Sequence, residues 1–237
     1  MTELKFIGGV SRPDPWPVTE PFRRFIGFYE TMNHFNGLVI QLASLAPPHK
    51  PDALSPYALF VNTSTLAAGV NNYLTYISEL LTLCFETQPA LMHEVRGFSR
   101  ELRETDQKGR ELLGDLGEIV EYLVFNLTRH GIRNLTNTLS EKFGFDLYPT
   151  EEMQGKMPYY VDVRNLIVHR RGVVSHYFIR KYPEHEKDQG MLVHFHTPFV
   201  GNALLDMNSS ALGIDERAAE RFSLARPHMV RGEDGGF

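Results

Sequence analysis

The chain has 237 residues, with 24 Lys plus Arg against 29 Asp plus Glu, 42% apolar residues, one Cys and one Trp. That length fits one large domain or two small ones with a proper core, and the formal charge of −5 argues against a generic polyanion binder, which carries a basic excess over its whole surface. The single Cys84 excludes an internal disulfide framework and a cysteine-rich zinc site.

Pro13, Pro15, Pro17 and Pro21 surround Trp16, and prolines hold a chain extended and deny it ladder hydrogen bonds. Residues 1–21 therefore read as an arm, with Trp16 as a docking anchor. Met1 to Ile7 lacks the basic start and apolar run of a secretory signal, and no window approaches the roughly 18 uninterrupted apolar residues of a membrane span. A reducing, cytoplasmic setting without membrane contact is the expectation. From Phe22 a helical period takes over through Phe25, Ile26, Tyr29, Met32, Val39, Ile40 and Ala43, stopping near Ala46 before Pro47 and Pro48.

Ser55 and Pro56 supply a capping hydroxyl and a first-turn proline. The apolar pattern that follows, Leu59 through Leu66, Val70, Tyr73, Ile77 and Leu81 to about Phe85, predicts a second helix with Gly69 as a candidate kink. Cys84 lies in its apolar run and reads as a small buried hydrophobe. A mixed segment from Leu91 to Arg103 follows Pro89. Leu112, Leu113, Leu116, Ile119, Val120, Leu123, Val124 and Leu127 follow the i, i+3, i+4, i+7 template over four turns, and the step continues past Gly131 through Ile132, Leu135, Leu139 and Phe143.

Pro158 to Arg171 combines β-branched residues with a helical face at Tyr159, Val163, Leu166 and Ile167, and its end carries Arg170, Arg171 and then Gly172. Cations at the negative pole with glycine just beyond mark a helix terminus, so a helix is predicted here. A charged loop spans Glu184 to Gly190, and alternation over Met191 to Thr197 predicts a short strand. Asp215 is expected to cap a last helix through Phe222, and the tail from Arg226 to be disordered. Residues 22–225 thus form one mainly α-helical domain with a minor β-element.

Arg164-Asn165-Leu166-Ile167-Val168-His169 carries the chemistry. An arginine offers phosphate a fixed positive fork, and a histidine moves protons near neutral pH. Together they suffice to cut RNA without a metal, the histidine acting on the ribose 2′-hydroxyl or the leaving 5′-oxygen and the arginine stabilising phosphoryl charge. Bare spacing is uninformative: with 10 His in 237 residues, an Arg followed five positions later by His is expected on the order of 0.7 times by chance, and requiring Asn after the Arg lowers this to on the order of 0.03. Of three such pairs only Arg164 with His169 passes that filter. Residues five apart on an ideal helix differ by about 140° and about 7.5 Å, so one regular helix does not bring both groups onto one atom; two copies across a twofold axis could, and so could an unwound last turn near Gly172 within one chain.

The segment Arg164-Asn165-x-x-x-His169, with Gly172 and the aromatic-basic stretch Tyr177, Phe178, Arg180 and Lys181 after it, resembles the ribonuclease signature of HEPN domains (higher eukaryotes and prokaryotes nucleotide-binding). The resemblance covers about 20 residues. It implies a HEPN-like helical bundle, metal-independent endoribonuclease activity with no cofactor, and a homodimer whose two motifs form one composite site. It also implies that Arg164 and His169 carry catalysis while Asn165 orients groups at the phosphate. Proteins of this family serve in phage defence, toxin-antitoxin modules and stress RNA cleavage, so an antitoxin or regulatory protein is a further implied partner.

Between Val163 and Lys181 stand five cations and no acid, leaving 19 cations against 29 acids elsewhere. Arg170, Arg171, Arg180, Lys181 and His176 are accordingly the candidate RNA-binding residues, a local basic patch on an acidic body. Two other readings remain. The bundle could serve as a non-catalytic interaction or nucleotide-binding module. Alternatively, His194 and His196, on one face of the predicted strand, could bind a metal for hydrolysis.

Overall fold

The structure, a computed structural model, describes residues 17–44, 55–95, 116–193 and 195–227. The described helices follow in the order α1 (Glu20–Ser44), α2 (Ser55–Thr87), α3 (Leu116–Thr128), α4 (Ile132–Phe143), α5 (Glu151–Arg170), α6 (His176–Lys181) and α7 (Thr197–Phe222), with 3₁₀ turns at Pro89–Glu94 and Pro183–Asp188. The mainly α-helical bundle expected from the apolar period is the architecture found. No described helix is long and apolar enough to cross a membrane.

Helix α2 is the centre of the bundle and touches α1, α3, α5 and α7. Its buried face runs Leu66, Val70, Tyr73, Ile77, Leu80 and Cys84, the spacing of one apolar stripe. Against it lies the stripe of α7, with Val200, Ala203, Leu204, Met207, Ala211, Ile214 and Ala218 all buried. Helix α1 adds an aromatic cluster in which Phe25 stands 5.4 Å from Tyr76 and 6.3 Å from Tyr73, ring centre to ring centre.

Five expectations change. Helix α5 begins at Glu151, not Pro158: the Thr150 hydroxyl accepts the Met153 N–H at 3.2 Å, and Glu151 and Glu152 favour the positive pole of the first turn. Pro158 is buried inside this helix, where its missing N–H leaves one carbonyl without an intrahelical donor. The predicted strand over 191–197 shrinks to a single antiparallel bridge between Val173 and Leu192. Backbone bonds from Val174 to Met191 at 2.9 Å, from Gly190 to Val174 at 3.0 Å and from Val193 to Gly172 at 2.9 Å surround that bridge. Gly69 is not a kink but a point of close approach, since a Cβ there would stand 2.5 Å from Leu204 Cδ2.

Asp215 begins no helix. It lies inside α7, fully buried, and accepts from the Thr19 N–H at 3.1 Å and from the Thr19 hydroxyl. Thr19 in turn accepts the Phe22 N–H at 3.4 Å as the cap of α1. Val18, Thr19 and Phe22 are buried, so the chain is already pinned to the bundle before residue 22. Trp16 and the rest of 1–16 lie outside the described residues, as do 96–115 and 228–237.

Burial pushes the Asp215 carboxyl above its ordinary 3.8, and the two Thr19 donors only partly offset this. The folded protein therefore favours the protonated acid, and its advantage is lost as pH rises from about 3.8 through the raised value. Urea titrations should show wild type losing stability relative to Asp215→Asn over that interval, whereas a difference that is flat or grows with pH would contradict this placement. Asp215→Ala, which strands both Thr19 donors, should cost about 1–3 kcal/mol.

Candidate functional site

The last turns of α5 carry the motif. Val163 and Leu166 are buried in the core, which fixes the rotation of the helix and leaves Arg164 and Asn165 half-buried beside them. Arg164 Nε donates to Asn71 Oδ1 at 2.7 Å, and its Nη1 donates to Asn165 Oδ1 at 3.0 Å. Among the described residues no carboxylate pairs with this guanidinium. Two neutral amides hold it in place and leave its charge uncompensated.

Arg164 lines a cleft of about 450 Å³ between α2, α3, α4 and α5. Asn71, Ser78 and Glu79 come from α2, Thr128 from α3 and Ile132 from α4. Asn71 was invisible in the sequence: it lies 93 residues before Arg164, and nothing local distinguishes it from Asn72, whose amide instead donates to the Phe25 carbonyl at 3.1 Å.

His169 is exposed in the final turn of α5 and does not line the Arg164 cleft. The structure therefore brings Arg164 and Asn165 together and keeps His169 apart within one chain, as five helical steps require. Arg170 and Arg171 follow it, both exposed. Arg171 takes the left-handed conformation with φ of +55°, and Gly172, with φ of +79°, donates its N–H to the Leu166 carbonyl at 3.1 Å. This closes the helix in the manner of a Schellman end.

The other basic residues divide. Arg170 and His176 line a second cleft of about 460 Å³ with Ser175 and Gln189, and His176 Nε2 stands 2.9 Å from the Gln189 amide. Arg180 lies over the Tyr177 ring at 5.7 Å. Lys181 lies over the same ring at 4.8 Å and donates to both oxygens of Asp162 at 3.0 Å. Asp162, one residue before the acid-free window, also accepts from Tyr182 at 2.9 Å. One of the five cations in that window is thus already paired, a contact that charge counting missed by a single position.

His196 stands at the N-terminal cap of α7 and borders a cleft of about 650 Å³ with Tyr159, His185 and Phe199, while His194 lies outside the described residues. Among the described residues no three His, Cys, Asp or Glu side chains are grouped as a metal would need. Cys84 is buried, and burial pushes its thiol up to about 12, so it fills core volume. No family model, no curated protein and no solved structure matches this chain.

Two outcomes follow from this geometry. Asp162→Asn releases Lys181, so the protein should elute from a polyanion column at higher salt than wild type, and unchanged elution would show that Lys181 does not reach the ligand surface. Gly172→Ala places a Cβ in the left-handed region, so urea denaturation should register a loss of about 1–2 kcal/mol.

Proposed function

We propose that this chain is a metal-independent endoribonuclease of the HEPN type. The observation that carries the proposal is Arg164 itself: a guanidinium oriented by Asn71 and Asn165 at 2.7 and 3.0 Å, with no acid against it, beside an open cleft. An arginine that only holds a fold together is usually paired with a carboxylate or with backbone carbonyls, as Arg217 and Arg221 are here. Arg164 is instead positioned and left available, the arrangement a phosphoryl group requires.

In the reaction, a neutral His169 takes the proton from a ribose 2′-hydroxyl and the 2′-oxygen attacks phosphorus. The bond to the 5′-oxygen breaks, and that oxygen receives the proton that His169 has just taken. The products are a 2′,3′-cyclic phosphate and a 5′-hydroxyl. Arg164 meets the charge that gathers on the non-bridging oxygens, and Asn165 keeps the guanidinium plane fixed. Because Arg164 and His169 point apart within one chain, the complete site combines Arg164 of one copy with His169 of a second across a twofold axis. Arg170, Arg171, Arg180 and His176 flank the motif and supply contacts to the RNA backbone. Cleavage of RNA in defence or stress, restrained by an antitoxin or regulatory protein, is the setting that suits such an activity.

Purified protein should cut RNA in EDTA and leave cyclic phosphate ends. His169→Ala should lower the rate by about 10²–10⁴ with helicity and oligomeric state retained. Mixing His169→Ala with Arg164→Ala chains should restore part of the activity, because a mixed pair contains one intact composite site. Equal cleavage by wild type and His169→Ala would falsify the assignment.

A further inference from the structure

The cleft of about 650 Å³ beside the start of α7 holds none of the motif residues, and its walls are aromatic. Tyr159 of α5 and His185 of the turn Pro183–Asp188 have rings inclined by only 11°, joined edge to edge with the Tyr159 hydroxyl 3.2 Å from His185 Nε2. Phe195 and Phe199 form a second near-parallel pair, inclined by 18° with centres 5.2 Å apart. Phe199 stands at 90° to Tyr159 at 6.5 Å, so the two pairs meet as the perpendicular walls of a corner. The corner is anchored to the bundle, because the Asn62 amide of α2 donates to the Phe195 carbonyl at 2.8 Å.

Among the described residues lining this cleft, Asp188 is the one acid, and neither lysine nor arginine accompanies it. Its Oδ2 lies 3.1 Å from His185 Nδ1. A carboxylate only accepts, so Nδ1 carries a hydrogen, and with the ring neutral Nε2 accepts the Tyr159 O–H. The chain from Tyr159 through His185 to Asp188 thus spends the donors of these groups. It leaves the Tyr159 oxygen and the other Asp188 oxygen as acceptors, and the carboxylate keeps its charge. Perpendicular aromatic walls with one carboxylate call for a cation whose surface is apolar. A bare ammonium is strongly hydrated and loses that water in such a corner, whereas an alkylated one carries methyl groups against the rings. A volume of about 650 Å³ also lies within the range of small-molecule sites.

We infer that this cleft binds an alkylated ammonium group, with the cation against Tyr159 and Phe199 and with Asp188 as its counter-charge. The site shares no residue with the ribonuclease motif and stands or falls independently of it. The group belongs either to a free quaternary amine or to a methylated lysine side chain, which present the same chemistry to the corner.

Choline and dimethylbutanol, its uncharged isostere with carbon in place of nitrogen, are titrated into the full chain, with affinity read by calorimetry and the aromatic side chains by NMR. Choline should shift the ring signals of Tyr159 and Phe199 and bind about tenfold more tightly than dimethylbutanol. Asp188→Asn keeps an acceptor for His185 Nδ1 and removes the charge from a side chain that is 52% exposed, so it should erase that advantage and leave dimethylbutanol binding and the melting temperature unchanged. Phe199→Leu keeps an apolar side chain without a π face and should weaken choline about tenfold; if that variant fails to fold, the surface substitution Asp188→Asn carries the test. A trimethyllysine peptide titrated in parallel separates the two sources: tighter binding than choline assigns the group to a polypeptide, weaker binding to a free amine, and either order supports the cation site. Equal affinity for choline and dimethylbutanol, absence of ring shifts with choline, or unchanged choline affinity in Asp188→Asn each overturns it.

Discussion

The depth at which α2 lies against α7 is set at Gly69, and the rest of the bundle is arranged around that contact. A side chain of even one carbon would stand 2.5 Å from Leu204 Cδ2 and 3.4 Å from Met207 Cε, both belonging to buried residues. The close approach fixes the rotation of α2 about its own axis, and a helix transmits rotation along its length at about 100° per residue. Asn71, two steps on, is thereby carried to the side away from α7, where it meets Arg164 of α5. Asn72 reaches α1 through the Phe25 carbonyl. Tyr73 returns to α7 at Ser210, 2.7 Å away. One turn of one helix thus ties three others in place, and the candidate anion site is among the contacts that depend on it.

The interior is not purely apolar, and several of its polar groups are paired across the bundle, while the buried Thr65 hydroxyl has no partner among the described residues. Tyr73 also approaches the Tyr148 hydroxyl at 3.4 Å, Tyr76 donates to the Ala211 carbonyl at 3.0 Å, and Asn62 donates to the Phe195 carbonyl at 2.8 Å. The bonds of Tyr73 to Ser210 and of Tyr76 to Ala211 fit one register of α7 on α2, so they oppose sliding of the two helices in a way that apolar stripes alone do not. Burial pushes the Tyr73 hydroxyl up to about 12, so this layer stays neutral at physiological pH. Asp215 differs in kind. It is a carboxylate taken out of water to hold Thr19 and, through Thr19, the first turn of α1, which makes the entry of the chain into the bundle sensitive to acid in a direction set by burial.

Much of this was legible in the sequence where one physical signal dominated. The apolar period located α2, α3 and α4 to within a few residues, and Ser55-Pro56 marked the start of α2. Arg170, Arg171 and Gly172 marked the end of α5, because glycine and left-handed geometry go together. The start of α5 was hidden, since its first turn is polar and Pro158 sits inside it. Asp215 misled because an aspartate before an apolar run has the pattern of a cap, whereas the helix already runs from Thr197 and the carboxyl is turned to Thr19. In the candidate site the division is sharper. Arg164, Asn165 and His169 lie within six residues of one another and are singled out by the asparagine after the arginine and by the family resemblance. Asn71 and Asp162 act through tertiary contacts, one across 93 residues and the other a single position beyond the window that was counted.

That single position alters the electrostatic argument. A formal −5 over the chain hides a basic stretch, yet charges in a stretch matter only as far as they remain uncompensated at the surface. Lys181 is held by Asp162, and a pair of this kind is worth little to stability, about 0–1 kcal/mol, while it removes one unit of attraction for phosphate. Arg164 shows the reverse. It is held by amides that carry no charge, so orientation is obtained without neutralisation. The contrast separates two kinds of surface: a broad basic face binds any nucleic acid in a salt-dependent way, whereas a single guanidinium held by two amides on an otherwise acidic body suits, on the proposed reading, one phosphate met in a fixed geometry.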